Sequence, residues 1–142
     1  AYLDANHGRV PLERTFRGWH WARCRVSDDE TLLGYDVEEC AGDRRQFGLR
    51  CTPQACEVIP PLPRQPLRGT GWGIARAGFG DAGTSARVVR TLEDTPFYAR
   101  SEVAATVHGR AATLMHESLD LQRFSRRWVQ ALLPFRMPRR GD

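Results

Sequence analysis

Short segments of β-type residues recur along most of the chain, and they constrain its fold more than any other feature. They are rich in β-branched and aromatic residues, and polar, glycine or proline turns separate them. We predict about eight strands, at residues 16–26, 31–37, 46–52, 55–59, 71–77, 86–93, 98–107 and 112–119. Strands at this near-regular spacing favour a mainly β fold, either an antiparallel barrel or a sandwich.

Two segments between these strands are predicted to lie outside the regular ladder. The four prolines of residues 60–66 cannot donate ladder hydrogen bonds, so this segment is predicted to be an exposed connector or an edge segment. Residues 78–83 are predicted to form a glycine-rich loop. The loop lacks the G-x-G-x-x-G spacing followed by a helix, and we therefore assign it no phosphate-binding role.

One segment near the end of the chain breaks the β pattern. Within residues 121–133, four apolar side chains recur at helical spacing on one face: Leu121, Phe124, Trp128 and Leu132. Arginines occupy the opposite face. Ser118 or Asp120 can cap the start of this helix, and Pro134 is expected to mark its end. The chain is therefore predicted to be a β domain closed by one C-terminal amphipathic helix.

The size and charge of the chain narrow the possible functions. Its 142 residues suit a single domain, and the missing initiator Met leads us to expect that the chain was trimmed, processed or cut from a longer protein. The net charge is +4 and every basic residue is arginine, a bias typical of a GC-rich bacterial genome. No basic and aromatic cluster resembles an RNA-binding module, so we expect no nucleic-acid partner. No apolar run approaches the roughly 20 residues needed to cross a bilayer.

The four cysteines do not have the spacing of a metal site. Cys24, Cys40, Cys51 and Cys56 lack the paired C-x2-C spacing typical of zinc ligands, and we predict neither a metal nor a cofactor. We expect these cysteines to be reduced, as in a bacterial cytosol. A disulfide is the alternative.

Two segments resemble the carotenoid 1,2-hydratases, also called hydroxyneurosporene synthases. The first begins with YLDANHG at residues 2–8 and continues through PLE at 11–13 to WHWAR at 19–23. The second comprises HESLDL at residues 116–121 and WVQALLPFRMPR at 128–139. The two segments lie in the order that the family shows and bracket the whole chain.

The resemblance implies a protein of two lipocalin-like β-barrel domains, of which residues 1–142 form the C-terminal one. It implies acid-catalysed hydration of the terminal 1,2 double bond of acyclic carotenes such as lycopene and neurosporene, giving the 1-hydroxy carotenoid without a cofactor. The proton donor of the family belongs to a Tyr-x-Asp motif, which here is Tyr2-Leu3-Asp4. The family also pairs a His and a Trp upstream of this motif, so the preceding N-terminal domain is an implied partner.

This chemistry assigns roles to five side chains. An acid that protonates carbon must stay neutral at working pH, which requires an apolar pocket that raises its pKa. Asp4 would be that acid, and Tyr2 would share its face of a strand. The faces of Trp19, Trp21 and Trp72 could bind the substrate and stabilise the tertiary cation.

Other interpretations of the same residues remain open. Asp4 and Asn6 also suit a surface turn. Trp19 and Trp21 alternate with His20, so the two Trp side chains face together while His20 faces the other way, and barrel core is a simpler role for both. A lipocalin-like domain that binds a hydrophobic ligand without any reaction is the alternative function.

The C-terminal helix also has two interpretations. It is either a cap on the barrel or, together with the arginine-rich tail, a surface at residues 121–140 that rests on the membrane interface. Because a carotene resides in lipid, we expect a bacterial cytoplasmic protein associated peripherally with the inner membrane.

Overall fold

A computed structural model describes residues 9–136, with side chains as far as Leu133. The described residues form nine strands and three short helices. The strands are β1 Phe16–Arg25, β2 Thr31–Glu39, β3 Arg44–Cys51, β4 Cys56–Ile59, β5 Arg64–Leu67, β6 Arg76–Phe79, β7 Arg87–Asp94, β8 Tyr98–Val107 and β9 Arg110–Asp120. The helices are α1 Leu12–Thr15, α2 Leu121–Phe124 and α3 Arg127–Arg136. The mainly β prediction is confirmed.

Seven strands form one antiparallel sheet in the order β4-β3-β2-β1-β9-β8-β7. Strands β1 to β4 pair in succession, and so do strands β7 to β9. The pairing of β1 with β9 joins these two halves of the sheet. Short turns make these pairings local, as in the bond from the Val26 amide to the Glu30 carbonyl between β1 and β2, at 2.9 Å. The predicted hairpin at this turn is confirmed.

The two remaining strands, β5 and β6, form a separate hairpin. In residues 9–136 no strand ladder joins this hairpin to the seven-stranded sheet, so the closed barrel implied by the resemblance is not observed. The hairpin instead packs against one face of the sheet, and all four residues of β6 are buried. We call this the covered face and its opposite the open face.

Arginines fix the hairpin to the covered face. Arg76, which begins β6, donates to the Ser101 and Thr91 hydroxyls, both at 3.0 Å. Arg64, which begins β5, contacts the carboxylate of Asp36 on β2 at 3.3 Å. Side-chain bonds therefore anchor both strands of a hairpin that shares no ladder with the sheet.

The hydrophobic core lies between the hairpin and the covered face. Its buried members come from β1, β2, β6, β8 and β9: Ala22, Cys24, Leu32, Phe79, Ala105, Val107 and Leu114. Phe79 was expected in a loop, because residues 78–83 are rich in glycine, but it is the last residue of β6 and 1% exposed. A Cβ at Gly78 would lie 2.9 Å from the Ala86 Cβ, so this glycine permits close packing and does not form a turn.

The proline-rich segment is partly regular. Residues 60–63 lie outside the strands, whereas Arg64–Leu67 forms β5 and pairs with β6 alone. An edge strand tolerates Pro66 because one side of its backbone has no ladder partner. The segment was predicted to be either an exposed connector or an edge segment, and the edge strand is observed from Arg64 onward.

The predicted C-terminal helix is broken. Asp120 caps α2 by accepting the Arg123 amide at 2.9 Å, as the sequence suggested, but α2 ends at Phe124 and α3 starts at Arg127. The expected stop at Pro134 is wrong, because α3 continues to Arg136. None of the helices in residues 9–136 has the length and apolar character of a membrane span.

Two of the cysteines are paired. Cys51 and Cys56 lie opposite each other in the β3–β4 register and form a disulfide. The expectation that these two cysteines are reduced is wrong, because the short β3–β4 turn places them directly opposite each other with Cα atoms 4.1 Å apart. Cys24 and Cys40 are free thiols.

Candidate functional site

The two faces of the sheet differ in chemistry because side chains alternate along each strand. On β1, His20 and Ala22 face the covered side, whereas Trp19 and Trp21 face the open side. The predicted alternation around His20 is confirmed. Trp21 is buried, as the barrel-core interpretation requires, whereas Trp19 is only half-buried, and the main core cluster lies on the other face of the sheet.

The open face carries an aromatic groove of about 550 Å³. Its lining comes from α1, β1, β2, β3 and β9: Leu12, Phe16, Trp19, Trp21, Tyr35, Val37, Glu39, Arg45, Phe47 and Glu117. Trp21 meets Tyr35 edge to face with ring centroids 6.5 Å apart, and Tyr35 stacks on Phe47 at 4.7 Å. Strand register produces this row, since Trp21 pairs with Tyr35 and Tyr35 with Phe47.

Aromatic rings in a row give the groove surfaces that suit a long apolar molecule with many double bonds. Their faces carry negative potential and stabilise a nearby cation. Trp21 is only 8% exposed, while Trp19 is half-buried and more accessible. The groove can therefore hold an apolar chain and stabilise positive charge on it.

Two carboxylates at this groove introduce polar chemistry. Glu39 forms an ion pair with Arg45 at 2.7 Å. Glu117 lies opposite Trp21 in the β1–β9 register and next to the Tyr98 hydroxyl. Burial, followed by the charge and the hydrogen bond of Glu117, raises the pKa of Tyr98. Tyr98 therefore remains a neutral hydroxyl that donates to Glu117.

The structure brings together only part of the site predicted from the sequence. Trp19 and Trp21 line the same groove, but Trp72 does not line it. Trp72 lies between β5 and β6, where its carbonyl accepts a hydrogen bond from Arg123 at 2.5 Å. Tyr2 and Asp4 lie outside the described residues. The chain reaches the groove at Leu12, eight positions after Asp4.

A second cluster of polar side chains lies on the covered face, beside a cleft of about 380 Å³. At its centre the Asp36 carboxylate, 1% exposed, contacts two arginines, Arg44 and Arg64. The hydrogen bond and charge of Arg44 and the charge of Arg64 lower the pKa of Asp36, although burial alone would raise it. Asp36 is therefore ionised and paired.

Two histidines extend this cluster. His20 Nε2 accepts from Arg64 at 3.2 Å, so its proton resides on Nδ1, which donates to the Ser118 hydroxyl at 2.9 Å. His116 stacks on His20 with ring centroids 5.9 Å apart. Burial, followed by nearby positive charge, lowers the pKa of His20 to about 4 and that of His116 to about 3. Both rings are neutral at physiological pH.

The sequence alone does not indicate a role for these covered-face residues. His20 and His116 are 96 positions apart and meet only because β1 pairs with β9. Asp36 and Arg64 meet only because the β5–β6 hairpin folds over the sheet. Within residues 9–136, no group of three or more His, Cys, Asp or Glu side chains is placed to hold a metal ion.

Comparison with known proteins identifies the family. The family model for the carotenoid hydratase CrtC matches residues 1–142, and the chain therefore belongs to this family of carotenoid hydratases. Among its relatives, the acyclic carotenoid 1,2-hydratases of Thiocapsa roseopersicina, Rubrivivax gelatinosus and Cereibacter sphaeroides are 49%, 43% and 36% identical to it. Each match covers 99% of this chain. The resemblance found in the sequence is confirmed.

The chain spans between about a third and a half of these relatives. It covers 35% of the first two and 50% of the third, and it matches a C-terminal portion of them. A crystal structure described as an AttH protein from Nitrosomonas europaea has a similar fold, with a TM-score of 0.53 at 14% identity. That match covers 78% of this chain and 41% of the other, and it bears on the fold alone.

Proposed function

We propose that this chain is the C-terminal part of an enzyme that adds water to the terminal 1,2 double bond of an acyclic carotene. The observation that carries the proposal is the aromatic groove in a member of the carotenoid hydratase family. Lycopene and neurosporene are the proposed substrates and the 1-hydroxy carotenoid is the product. An acyclic polyene is apolar along its whole length and therefore matches the aromatic lining of the groove.

In this proposal the groove is one wall of the substrate site and the preceding domain is the other. The groove lies on the open face of the sheet, and α1, near the start of the described chain, contributes Leu12 to it. We propose that the whole protein closes a lipocalin-like barrel around the substrate.

The proposed reaction starts with Asp4 as the acid. Its proton adds to C2 of the alkene and leaves a tertiary cation at C1, which water then captures. Tyr2 would hydrogen-bond Asp4, and the faces of Trp19 and Trp21 would stabilise the cation. Excluding bulk water from the groove would keep Asp4 neutral before the proton transfer.

Two measurements on the chain joined to its preceding domain test this proposal. Hydration of lycopene or neurosporene in heavy water should give a product that carries deuterium at C2, because the proton comes from an exchangeable acid. Asp4→Asn should abolish turnover and leave carotene binding nearly intact, because the amide keeps the shape of the acid but cannot donate its proton. Binding without hydration in the unaltered protein would favour the non-catalytic ligand-binding alternative.

We also propose that the C-terminal helices contact the surface of the bacterial inner membrane from the cytoplasmic side. Trp128 is 47% exposed and lies next to exposed Arg126 and Arg127, a combination that suits an anionic lipid interface. Trp128→Ala should weaken sedimentation with vesicles of anionic phospholipid. Equal sedimentation of the two proteins would contradict the proposal.

A further inference from the structure

The two carboxylates at the aromatic groove are not equivalent. Glu39 is neutralised by Arg45 at 2.7 Å. In the part of the chain that the structure describes, Glu117 forms no salt bridge, because its β8 register partner Arg100 pairs with Glu93 at 2.5 Å. Glu117 thus contributes to the groove a carboxylate that no ion pair within the described residues engages.

The surroundings of Glu117 orient it toward the groove. It shares the open face of β9 with Leu119, and its β1 register partner is Trp21, whose ring forms part of the groove wall. The Tyr98 hydroxyl donates to the carboxylate from β8. A carboxylate held by one neutral donor keeps its other lone pairs for a further partner.

We propose that Glu117 accepts the proton of the water that attacks the substrate cation. This inference rests on the proposed hydratase function and adds a second catalytic residue to it. A carboxylate beside the cationic centre would also stabilise its charge electrostatically. Tyr98 is then a positioning residue that acts through Glu117.

The reaction balances with these two carboxyl groups. The π electron pair of the alkene forms the C2–H bond with the Asp4 proton, and a cation remains at C1. A lone pair of water forms the C1–O bond, and Glu117 takes one proton from that water. Glu117 then releases this proton to solvent while Asp4 takes one up, so that both residues return to their starting states.

The test uses Glu117→Gln in the chain joined to its preceding domain. We expect kcat to fall about 100-fold or more, because general base catalysis typically contributes that much. Carotene binding, followed by quenching of tryptophan fluorescence, should stay within about threefold of the unaltered protein. In heavy water the variant should return substrate that carries deuterium at C2, because Asp4 still protonates the alkene and the cation reverts without capturing water.

Control variants separate this role from a structural one. Glu102→Gln is a matched change on β8, whose carboxylate pairs with Arg90 at 3.0 Å outside the groove, and it should leave kcat unchanged. Glu117→Asp should restore part of the activity, because it keeps a carboxylate. Tyr98→Phe should lower kcat about tenfold and shift the acidic limb of the pH profile of kcat. This variant serves as the test if Glu117→Gln does not fold.

Three results would overturn the proposal. Glu117→Gln that hydrates at the normal rate removes Glu117 from the reaction. Loss of carotene binding in the same variant would mean that Glu117 shapes the groove and takes no part in proton transfer. A protein with both carboxylates intact that binds carotene but neither hydrates it nor exchanges deuterium would overturn the hydratase function itself.

Discussion

Asp36 is the side chain on which two arginines from separate parts of the fold converge. Arg44 begins β3 and Arg64 begins β5, so the pair of contacts links the sheet to the hairpin that covers it. The carboxylate is 1% exposed, whereas the arginines are 43% and 35% exposed. Removing the carboxylate would leave two cations that can still reach water. The loss of stability is therefore limited.

Asp36→Asn should therefore lower the free energy of unfolding by about 2 kcal/mol, less than the 3–5 kcal/mol typical when one member of a fully buried pair is removed. Urea denaturation of the two proteins measures the difference. Asp28→Asn is the matched control, because its ion pair with Arg25 is exposed at 94% of the Asp28 side chain. The control should change stability by less than about 0.5 kcal/mol.

The stacked histidines make stability depend on pH. Their pKa values are lowered to about 4 for His20 and about 3 for His116, so the unfolded chain binds protons below pH 6.5 that the folded chain refuses. The free energy of unfolding should fall as pH drops from 6.5 towards 4, by up to about 1.4 kcal/mol per pH unit for each ring. Above about pH 7.5 these rings contribute almost no pH dependence, because the unfolded chain no longer protonates them.

Urea midpoints measured between pH 7.5 and 5 test this prediction. The charged groups around the two rings are Asp36, Arg44, Arg64 and Arg76. They hold their charges over that range, since Asp36 has a lowered pKa and arginines stay protonated. His116→Leu should remove about half of the slope. An unchanged slope in this variant would show that other groups cause the effect.

Side-chain direction was predictable from the sequence, but the neighbours of each side chain were not. Alternation along one strand places Trp19 and Trp21 together and His20 opposite. Tyr35, Phe47 and Glu117 complete the groove through the registers of β2, β3 and β9, which depend on pairing with other strands. The aromatic lining could therefore be predicted in part, and the Glu117 carboxylate beside it could not.

At the scale of elements, the break between α2 and α3 decides which side chains of the C-terminal segment are buried. A continuous helix would put Leu121, Phe124, Trp128 and Leu132 on one face. The turn at residues 125–126 rotates α3, so that Val129 is 1% exposed and Trp128 is 47% exposed. The periodicity of the sequence could not reveal this rotation, because the turn contains neither glycine nor proline.

Val129→Ala should therefore destabilise the protein by about 2 kcal/mol, since it removes two buried methyl groups and leaves a small cavity. Trp128→Ala should change stability by less than about 0.5 kcal/mol, although it removes a much larger side chain. Thermal unfolding of both variants provides the comparison. The reverse order would mean that α2 and α3 form one continuous helix in solution.

The strands show how far element prediction extends. Segments bounded by polar turns, such as β2 and β8, were predicted to within a few residues. The β6 strand was displaced in the prediction because Gly78 suggests a loop by composition, whereas in the fold it permits close packing against Ala86. A glycine required by a distant contact cannot be distinguished in one sequence from a glycine required by a turn.

For the whole molecule, the open face is the surface that most affects behaviour in solution. It presents apolar groups from several strands around the aromatic groove, and the preceding domain is the proposed cover. A contiguous apolar surface of this kind favours association when it is left uncovered. The isolated 142-residue chain should therefore form dimers or larger species and should lack hydration activity.

Light scattering at micromolar concentration measures the first of these outcomes. Val37→Lys, within the groove, should shift the isolated chain towards monomer. Val58→Lys is the matched control, because Val58 is 78% exposed on β4 and lies outside the groove. A monomeric, active chain would show that residues 1–142 contain the complete site.

The pairing of β1 with β9 also determines when the protein can finish folding. Trp19 lies opposite Leu119, a hundred positions later in the chain. A ribosome adds about 5–20 residues per second, so one side of β1 has no partner for roughly 5–20 s after its synthesis. During that interval β2 can pair with the other side, but an unpaired backbone edge beside two tryptophans remains open to neighbouring chains. Newly made protein should thus be most prone to aggregate just before its last strand emerges.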